Sequence, residues 1–361
     1  MFPSQTTAAE LATLTNGKNE RKTVTDKDLL QIQQMRKGCE VSILAAIGDP
    51  KHNKNYRNNP SLLISHQNND DGDNYENIDN STLTQPIRNV IIDVGKTFRE
   101  GSLRWMPTNA IHGIDAVVLT HEHADAIGGL DDLRGFQKRQ FLHGKDNGTS
   151  YSSTAIPIPI FLSQQCYKAI EQQFTYLVPK KQTSKASDEV VRYVASLEYN
   201  IIQSFTPFVA AGLKIHPLPV LHGEDLISLG FAFSIRGNGN KKEVDVNNKD
   251  NKILTTNITN VVYLSDISRM PKETENYILQ KLPQPIDILI IDSLSWKKPH
   301  STHVCLEDAL KIARIFKPKR VIVVGMGCDN FPPHDEMNDI LQKSTFDNFD
   351  VCLAHDGLVV E

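Results

Sequence analysis

VVLTHEHADAIGGLDDLRG, residues 117–135, decides how this chain is read. An apolar, β-branched run of the buried-strand type ends at Thr120, and His121, Glu122, His123 and Asp125 follow at once. Two histidines one residue apart, with an aspartate two further on, can converge on a metal ion from a tight loop. Imidazole and carboxylate suit Zn2+, and Mn2+ or Fe2+ accept the same donors. The plainer reading is a polar turn or a helix N-cap. The strand before the motif, and Gly128 and Gly129 after it, favour the metal.

Two features further along fit the same site. His222 follows the strand-like LKIHPLPV (213–220), and Asp266 ends another in VVYLSDIS. A lone histidine after a strand is more often structural than a ligand, and a strand-end aspartate is commonly a helix cap. All three in this order are harder to ascribe to chance. Beyond DILIIDS (287–293), the stretch PHSTH carries His300 and His303, candidates for giving a proton to a leaving alkoxide near neutral pH. The competing reading makes one a helix cap and leaves the other exposed. Asp292, closing that strand, is placed to orient a histidine, and Asp125 is placed to hold a water. Arg104 and Arg134 are of the type that grips phosphate with two nitrogens. Ion pairs with Asp131 and Asp132, or backbone contacts, are the structural alternative.

Around these residues the sequence alternates short apolar runs with helical patterns. The expected strands are 61–65, 89–93, 115–120, 158–163, 213–220, 229–235, 260–266, 287–293, 320–325 and 350–354. Helices are expected over 164–178, 273–282, 304–316 and 334–343. A meander followed by β-α-β alternation implies an α/β fold with helices outside the sheets. Residues 1–36 read as a weakly ordered extension and 37–361 as the folded domain. Within it, the Asn- and Asp-rich stretches 66–82 and 237–252 are too poor in apolar residues to offset chain entropy, and are expected to be loop inserts.

Composition excludes several classes. The 361 residues are 39% hydrophobic and 23% charged, ordinary for a globular protein. A net charge of −4 gives no basic footprint, so nucleic acid is not the expected partner. The five cysteines are scattered and odd in number, without CxxC spacing. That argues against a disulfide framework and suits a reducing compartment, the cytoplasm or else the nucleus. No signal-peptide core and no long apolar run is present, so no membrane association is expected.

HxHxD after a strand, a lone His after another and an Asp in a Y-L-S-D turn resemble the metallo-β-lactamase superfamily. The similarity is greatest to its cyclic phosphodiesterase-like branch, which includes uncharacterised fungal and plant metallo-hydrolases. It runs from about Cys39 to the C-terminus through YRNNPSLLI (56–64), IIDVGKTFREGSLRW (91–105), LPVLHGED (218–225), YLSDISRMP (263–271) and PHSTHVCLEDAL (299–310). The resemblance implies a four-layer αβ/βα sandwich with the active site along one edge of the paired sheets. It also implies that His121, His123 and His222 with bridging Asp266 hold one metal, and that Asp125 and Asp266 form half of a second site.

Departures from the pattern bear on that second site. The superfamily motif usually continues HxHxDH, and here the last position is Ala126. The ligand pair that follows the strand RVIVVG in many relatives is replaced by Gly325. Cys328 and His334 are conceivable substitutes. Of the Cys-rich zinc knuckle that relatives carry, only Cys39 and the position of His303 remain, so no structural zinc is expected. The Gly-rich first strand is not recognisable either, which suggests an altered N-terminus.

The function expected from this resemblance is hydrolysis of a small phosphodiester or cyclic phosphate, with one or two Zn2+ ions activating water. The alternatives are a tRNA 3′-processing-like nuclease, a thiol-ester hydrolase, and a non-catalytic protein that kept the fold but lost its second metal.

Overall fold

The structure, a computed structural model, describes residues 39–67, 87–143, 151–178, 194–237, 242–245, 252–255, 258–328, 330–344 and 349–360. In chain order the first elements are α1 (Glu40–Ala46), β1 (Leu62–Gln67), β2 (Ile87–Ile92), α2 (Phe98–Trp105), β3 (Ala116–Val118) and α3 (Ala124–Ile127). There follow β4 (Arg139–His143), β5 (Tyr151–Ala155), β6 (Ile158–Leu162), α4 (Gln164–Gln173), β7 (Leu197–Ile201) and β8 (Phe208–Ala210). Next come β9 (Leu213–His222), β10 (Leu226–Arg236), β11 (Lys242–Asp245), β12 (Lys252–Thr255) and β13 (Ile258–Leu264). The chain closes with α5 (Lys272–Lys281), β14 (Ile288–Asp292), α6 (Leu306–Phe316), β15 (Arg320–Val324), α7 (His334–Lys343) and β16 (Asp350–Leu353).

Because successive strand residues face opposite sides, a run apolar at every position must be covered on both faces. The alternation assigns each residue to a layer. Val90 and Ile92 of β2, with Ala116 and Val118 of β3, face Ile215, Phe231, Val261, Tyr263, Ile290 and Ile322 of a second sheet. Their neighbours Ile91 and Val117 pack outward on Phe98, Ile127, Leu130 and Ile170. On the other sheet Val262, Leu289 and Val321 pack outward on Ile278, Leu310, Ala313 and Met337. Three cores thus separate four layers, helices–sheet–sheet–helices.

The first sheet has the order β1-β2-β3-β6-β7 and the second β16-β15-β14-β13-β10-β9-β8. Strands β2, β3, β6 and β7 are mutually parallel. In the second sheet β9 and β10, then β10 and β13, pair antiparallel, while β13 to β16 are parallel. Consequently β9, β13, β14 and β15 all end at one edge. His222, Asp266, Asp292 and Gly325 are gathered there by topology alone.

All ten expected strands form. The sequence reading missed α1, α2, α3, β7, β8 and the hairpin β4–β5. It also took 237–252 for a loop, where β11 pairs with β12 in the register Val244↔Ile253. Val244, Ile253 and Thr255 are β-branched, a local signal hidden by the surrounding Asn and Asp. Of the stretch 66–82, His66 and Gln67 belong to β1, and residues 68–82, like the extension 1–36, lie outside the described residues.

Candidate metal centre

The HxHxD loop is fixed from beneath. Val94 donates its amide to Ala126 O at 2.8 Å, Lys96 to Ala124 O at 3.1 Å, and Gly129 to Val94 O at 2.7 Å. Gly95 makes this approach possible, since a Cβ there would lie 1.9 Å from Asp125 O.

His121 is buried, and its orientation is set by two residues the sequence reading did not single out. Asp93 follows β2 with φ of 61° and accepts two hydrogen bonds from Thr120, from the amide and from Oγ1, both at 2.8 Å. The Thr120 hydroxyl lies 2.8 Å from His121 Nδ1. Having donated to Asp93, it accepts from Nδ1–H, which leaves the lone pair of His121 on Nε2. Burial pushes the Asp93 carboxyl well above its ordinary range. The Thr120 bonds oppose that shift, and the charges of Asp266 and Asp125 add to it. The only sequence signal for this relay is an aspartate ending an apolar run and a threonine preceding the first histidine.

His222, the last residue of β9, directs Nδ1 to Thr302 O at 2.8 Å and so also keeps its lone pair on Nε2. Burial lowers the pKa of both His121 and His222, although Asp266 pulls each the other way. At neutral pH both rings are therefore ligands rather than cations. The ring centroids of His121, His123 and His222 stand 4.6, 5.2 and 5.2 Å apart, with interplanar angles of 65–75°. One ligand atom from each lies within 4.8 Å of the others, and the same holds for His222, Asp266 and His303.

Asp266 adopts φ of 51° after β13 and accepts from Ser265 Oγ at 2.7 Å. Asp125 Oδ1 lies 3.8 Å from His121 Nε2, and both atoms are buried without a hydrogen-bond partner. Two facing, unsatisfied acceptors are costly in an interior. A cation between them removes that cost, so the donor set fits a divalent metal.

On the far side of His222, His303 points Nδ1 at Asp292 Oδ2, 2.6 Å away. Asp292 is fully buried, and burial raises its pKa to about 7 against the lowering effect of His303. Burial works against a charged His303, but the bond and charge of Asp292 outweigh it and raise the His303 pKa. His300 is exposed, its ring centroid 5.6 Å from that of His303. Its Nδ1 lies 3.3 Å from the Thr302 amide, which donates to it and leaves the proton of the neutral ring on Nε2.

The remaining candidates sit elsewhere. Cys328 does not join either group of ligand atoms. Its Sγ accepts from Ser42 Oγ at 2.9 Å and its carbonyl from Cys39 at 2.5 Å, because the loop after β15 packs on α1. His334 is buried at the start of α7, with Nε2 2.8 Å from Asn338. Arg104 pairs with Glu100 at 2.9 Å and lies over the Tyr56 ring, while Asp132 pairs with Arg99. A cavity of about 430 Å³ lined by Arg88, Asp115 and Lys138 opens at the opposite ends of β2, β3 and β6, away from every residue of the centre.

A family model described as the beta-lactamase superfamily domain matches residues 88–326. An octanoyltransferase of Porphyromonas gingivalis W83 is 23% identical over 283 residues, which cover 77% of this chain. The match takes in 45% of that relative, so the chain spans less than half its length. Among solved structures, a diphosphatase of the PhnP family superposes with a TM-score of 0.55 at 24% identity, covering 89% of this chain and 88% of the other. The metallo-beta-lactamase fold protein YhfI of Bacillus subtilis gives 0.48 at 16% identity, covering 75% and 86%.

Proposed function

The chain belongs to the beta-lactamase superfamily, and from that premise we propose that it is a metal-dependent hydrolase of a small phosphodiester or cyclic phosphate. The observation that carries this is the convergence of His121, His123 and His222 on the side of Asp266, with the Nδ1 atoms of His121 and His222 held by Thr120 and Thr302 so that their Nε2 lone pairs are free. These four residues would hold a divalent ion, zinc in the first instance, with manganese or iron(II) as alternatives. When bound, such an ion polarises a phosphoryl oxygen and lowers the pKa of water toward about 7.

The chain's own groups supply the rest. Asp125, part-exposed at the rim, accepts a hydrogen bond from water and fixes its approach. His300, with its proton on Nε2, donates to a substrate oxygen. The relay Asp93–Thr120–His121 and the Thr302 carbonyl hold two of the three rings in register before substrate arrives. A phosphoryl substrate agrees with the diphosphatase that shares the fold. A small molecule rather than a nucleic acid agrees with the net charge of −4. Cytoplasm or nucleus is the proposed compartment, in keeping with five free cysteines. Among the described residues no helix is long and apolar enough to cross a membrane.

The test is metal content by mass spectrometry, together with hydrolysis of bis(p-nitrophenyl) phosphate by wild type, His121→Ala and Asp266→Ala. The expected result is bound metal and turnover in the wild type, with both reduced in the variants. Failure to bind zinc, manganese or iron(II) after reconstitution would overturn the proposal. So would a metal-loaded protein that cleaves a thiol ester and leaves the phosphodiester untouched.

A further inference from the structure

We propose that Cys39 and Cys328 form a peroxide-sensitive dithiol, in which Cys328 is the attacking sulfur and Cys39 the one that closes the disulfide. The inference does not rest on the metal-hydrolase reading. The two cysteines are 289 residues apart and both part-exposed, yet the loop leaving β15 lays Cys328 directly on the start of α1. Cys39 is the N-cap of α1, and Ser42 stands one turn further on. Cys39 Sγ donates to Cys328 O at 2.5 Å, and Ser42 Oγ donates to Cys328 Sγ at 2.9 Å. Cys328 thus touches the same turn with its carbonyl and with its sulfur. Both atoms stand two bonds from the Cys328 Cα, so a thiol against the carbonyl is one side-chain rotation from the sulfur.

The groups around the pair assign the roles. The Cys39 proton is directed at a carbonyl, whereas the Cys328 sulfur accepts, and Arg57 lies beside it. Arg57 Nη1 donates to Met326 O at 3.3 Å, while Nε and Nη2 are buried with no hydrogen-bond partner. Burial lowers the Arg57 pKa, and Cys328 first, then Asp356 and Cys39, draw it back. A guanidinium with unused donors and a hydroxyl beside a sulfur are the surroundings in which a cysteine is an effective nucleophile. The other cysteines differ. Cys166 and Cys305 are buried, and burial pushes both thiols up. Cys352 accepts from Arg320 Nη2 at 3.5 Å, but among the described residues no hydrogen bond joins it to another cysteine.

Hydrogen peroxide is the oxidant. The Cys328 sulfur attacks one peroxide oxygen, an S–O bond forms as the O–O bond breaks, and the departing oxygen leaves with the thiol proton as water. The Cys39 sulfur then attacks the sulfenic sulfur. The S–S bond forms, the S–O bond breaks, and the second oxygen takes the Cys39 proton as water. Two electrons pass from the sulfurs to the peroxide. The link fastens α1, a helix of seven residues in which only Val41 is buried, to the loop that leaves β15.

The experiment exposes the reduced full-length chain to hydrogen peroxide, quenches it with N-ethylmaleimide under denaturing conditions and maps the peptides by mass spectrometry. Cys39→Ser and Cys328→Ser are treated alongside. The wild type is expected to show a Cys39–Cys328 disulfide, with Cys166, Cys305 and Cys352 alkylated, and to recover all five thiols in dithiothreitol. Cys39→Ser should stop at a sulfenic acid on Cys328, trapped by dimedone, and Cys328→Ser should leave Cys39 alkylated. The wild-type map decides alone where a serine variant misfolds. Five alkylated thiols in the peroxide-treated wild type, or a disulfide through another cysteine, overturns the proposal. So does a wild type in which the sulfenic acid stays on Cys328 and Cys39 remains a thiol.

Discussion

Thr120→Val isolates the relay behind His121. The change keeps shape and removes one hydroxyl, from a side chain with 1% exposure. That hydroxyl makes two contacts at 2.8 Å, donating to Asp93 Oδ2 and accepting from His121 Nδ1. Without it, a carboxylate oxygen and a ring nitrogen are left buried and unpaired. Each orphan costs about 1–3 kcal/mol, so the metal-free protein should lose about 3 kcal/mol, read from urea denaturation. Asp93 keeps only the Thr120 amide, so its carboxyl, already raised by burial, should rise further. Freed of its anchor, His121 samples both tautomers and other rotamers, and zinc affinity should fall about 10–100-fold, read by chelator competition. Thr120→Ser is the control: it loses a methyl group, about 1 kcal/mol, and should hold zinc as the wild type does. If the valine and serine variants match in zinc affinity, the hydroxyl does not orient the ligand and the argument fails.

Three further outcomes follow from single features. Burial, with Arg57 and His355 nearby, lowers the pKa of His334 to about 4. The unfolded chain therefore takes up a proton near pH 6.5 that the folded chain refuses. Stability should be full above pH 6.5 and fall progressively toward pH 4, by up to about 3 kcal/mol. His334→Gln should flatten that slope in thermal melts, and an unchanged slope refutes the assignment. Gly357 has φ of 75°, and a Cβ there would meet the Trp105 ring at 2.4–2.6 Å. Gly357→Ala should cost about 2–4 kcal/mol in urea, from left-handed strain and overpacking together, whereas a loss below 1 kcal/mol would show that the Trp105 contact gives way freely. Ala126→His should destabilise by about 1–3 kcal/mol through overpacking without raising the metal count, and a gain of one ion would show that the position reaches the site after all.

What the sequence made legible is explained by burial on two faces. Runs such as NVIID and DILIIDS are apolar at every position because each residue serves one of two cores, and the aspartates that end them mark the edge where the site lies. LEYNI in β7 and FVA in β8 carry no such signal: β7 and β8 lie at the ends of their sheets, and Ile201 and Val209 are exposed. Helix α2 was hidden by Gly101 and by its length of eight residues. Placing His121, His123, His222 and Asp266 needed only spacing and strand ends. The Asp93–Thr120 relay is a contact between residues 27 apart in sequence, which no local pattern announces. Cys328 was drawn toward the metal by its place after β15, but the loop there turns onto α1 instead.

The donors of the centre come from both halves of the molecule. His121, His123 and Asp125 leave the first sheet, while His222, Asp266 and His303 leave the second. Each sheet has its own helical cover and its own outer core, and the two meet over a shared apolar layer. An ion held at their common edge, as proposed, would be a cross-link between half-molecules, gripped only when they are docked. Free metal at a hundred times its dissociation constant adds about 2.7 kcal/mol to that docked state. On the proposed metal-binding reading, the metal-free chain should be cut faster than the metal-loaded chain in limited proteolysis.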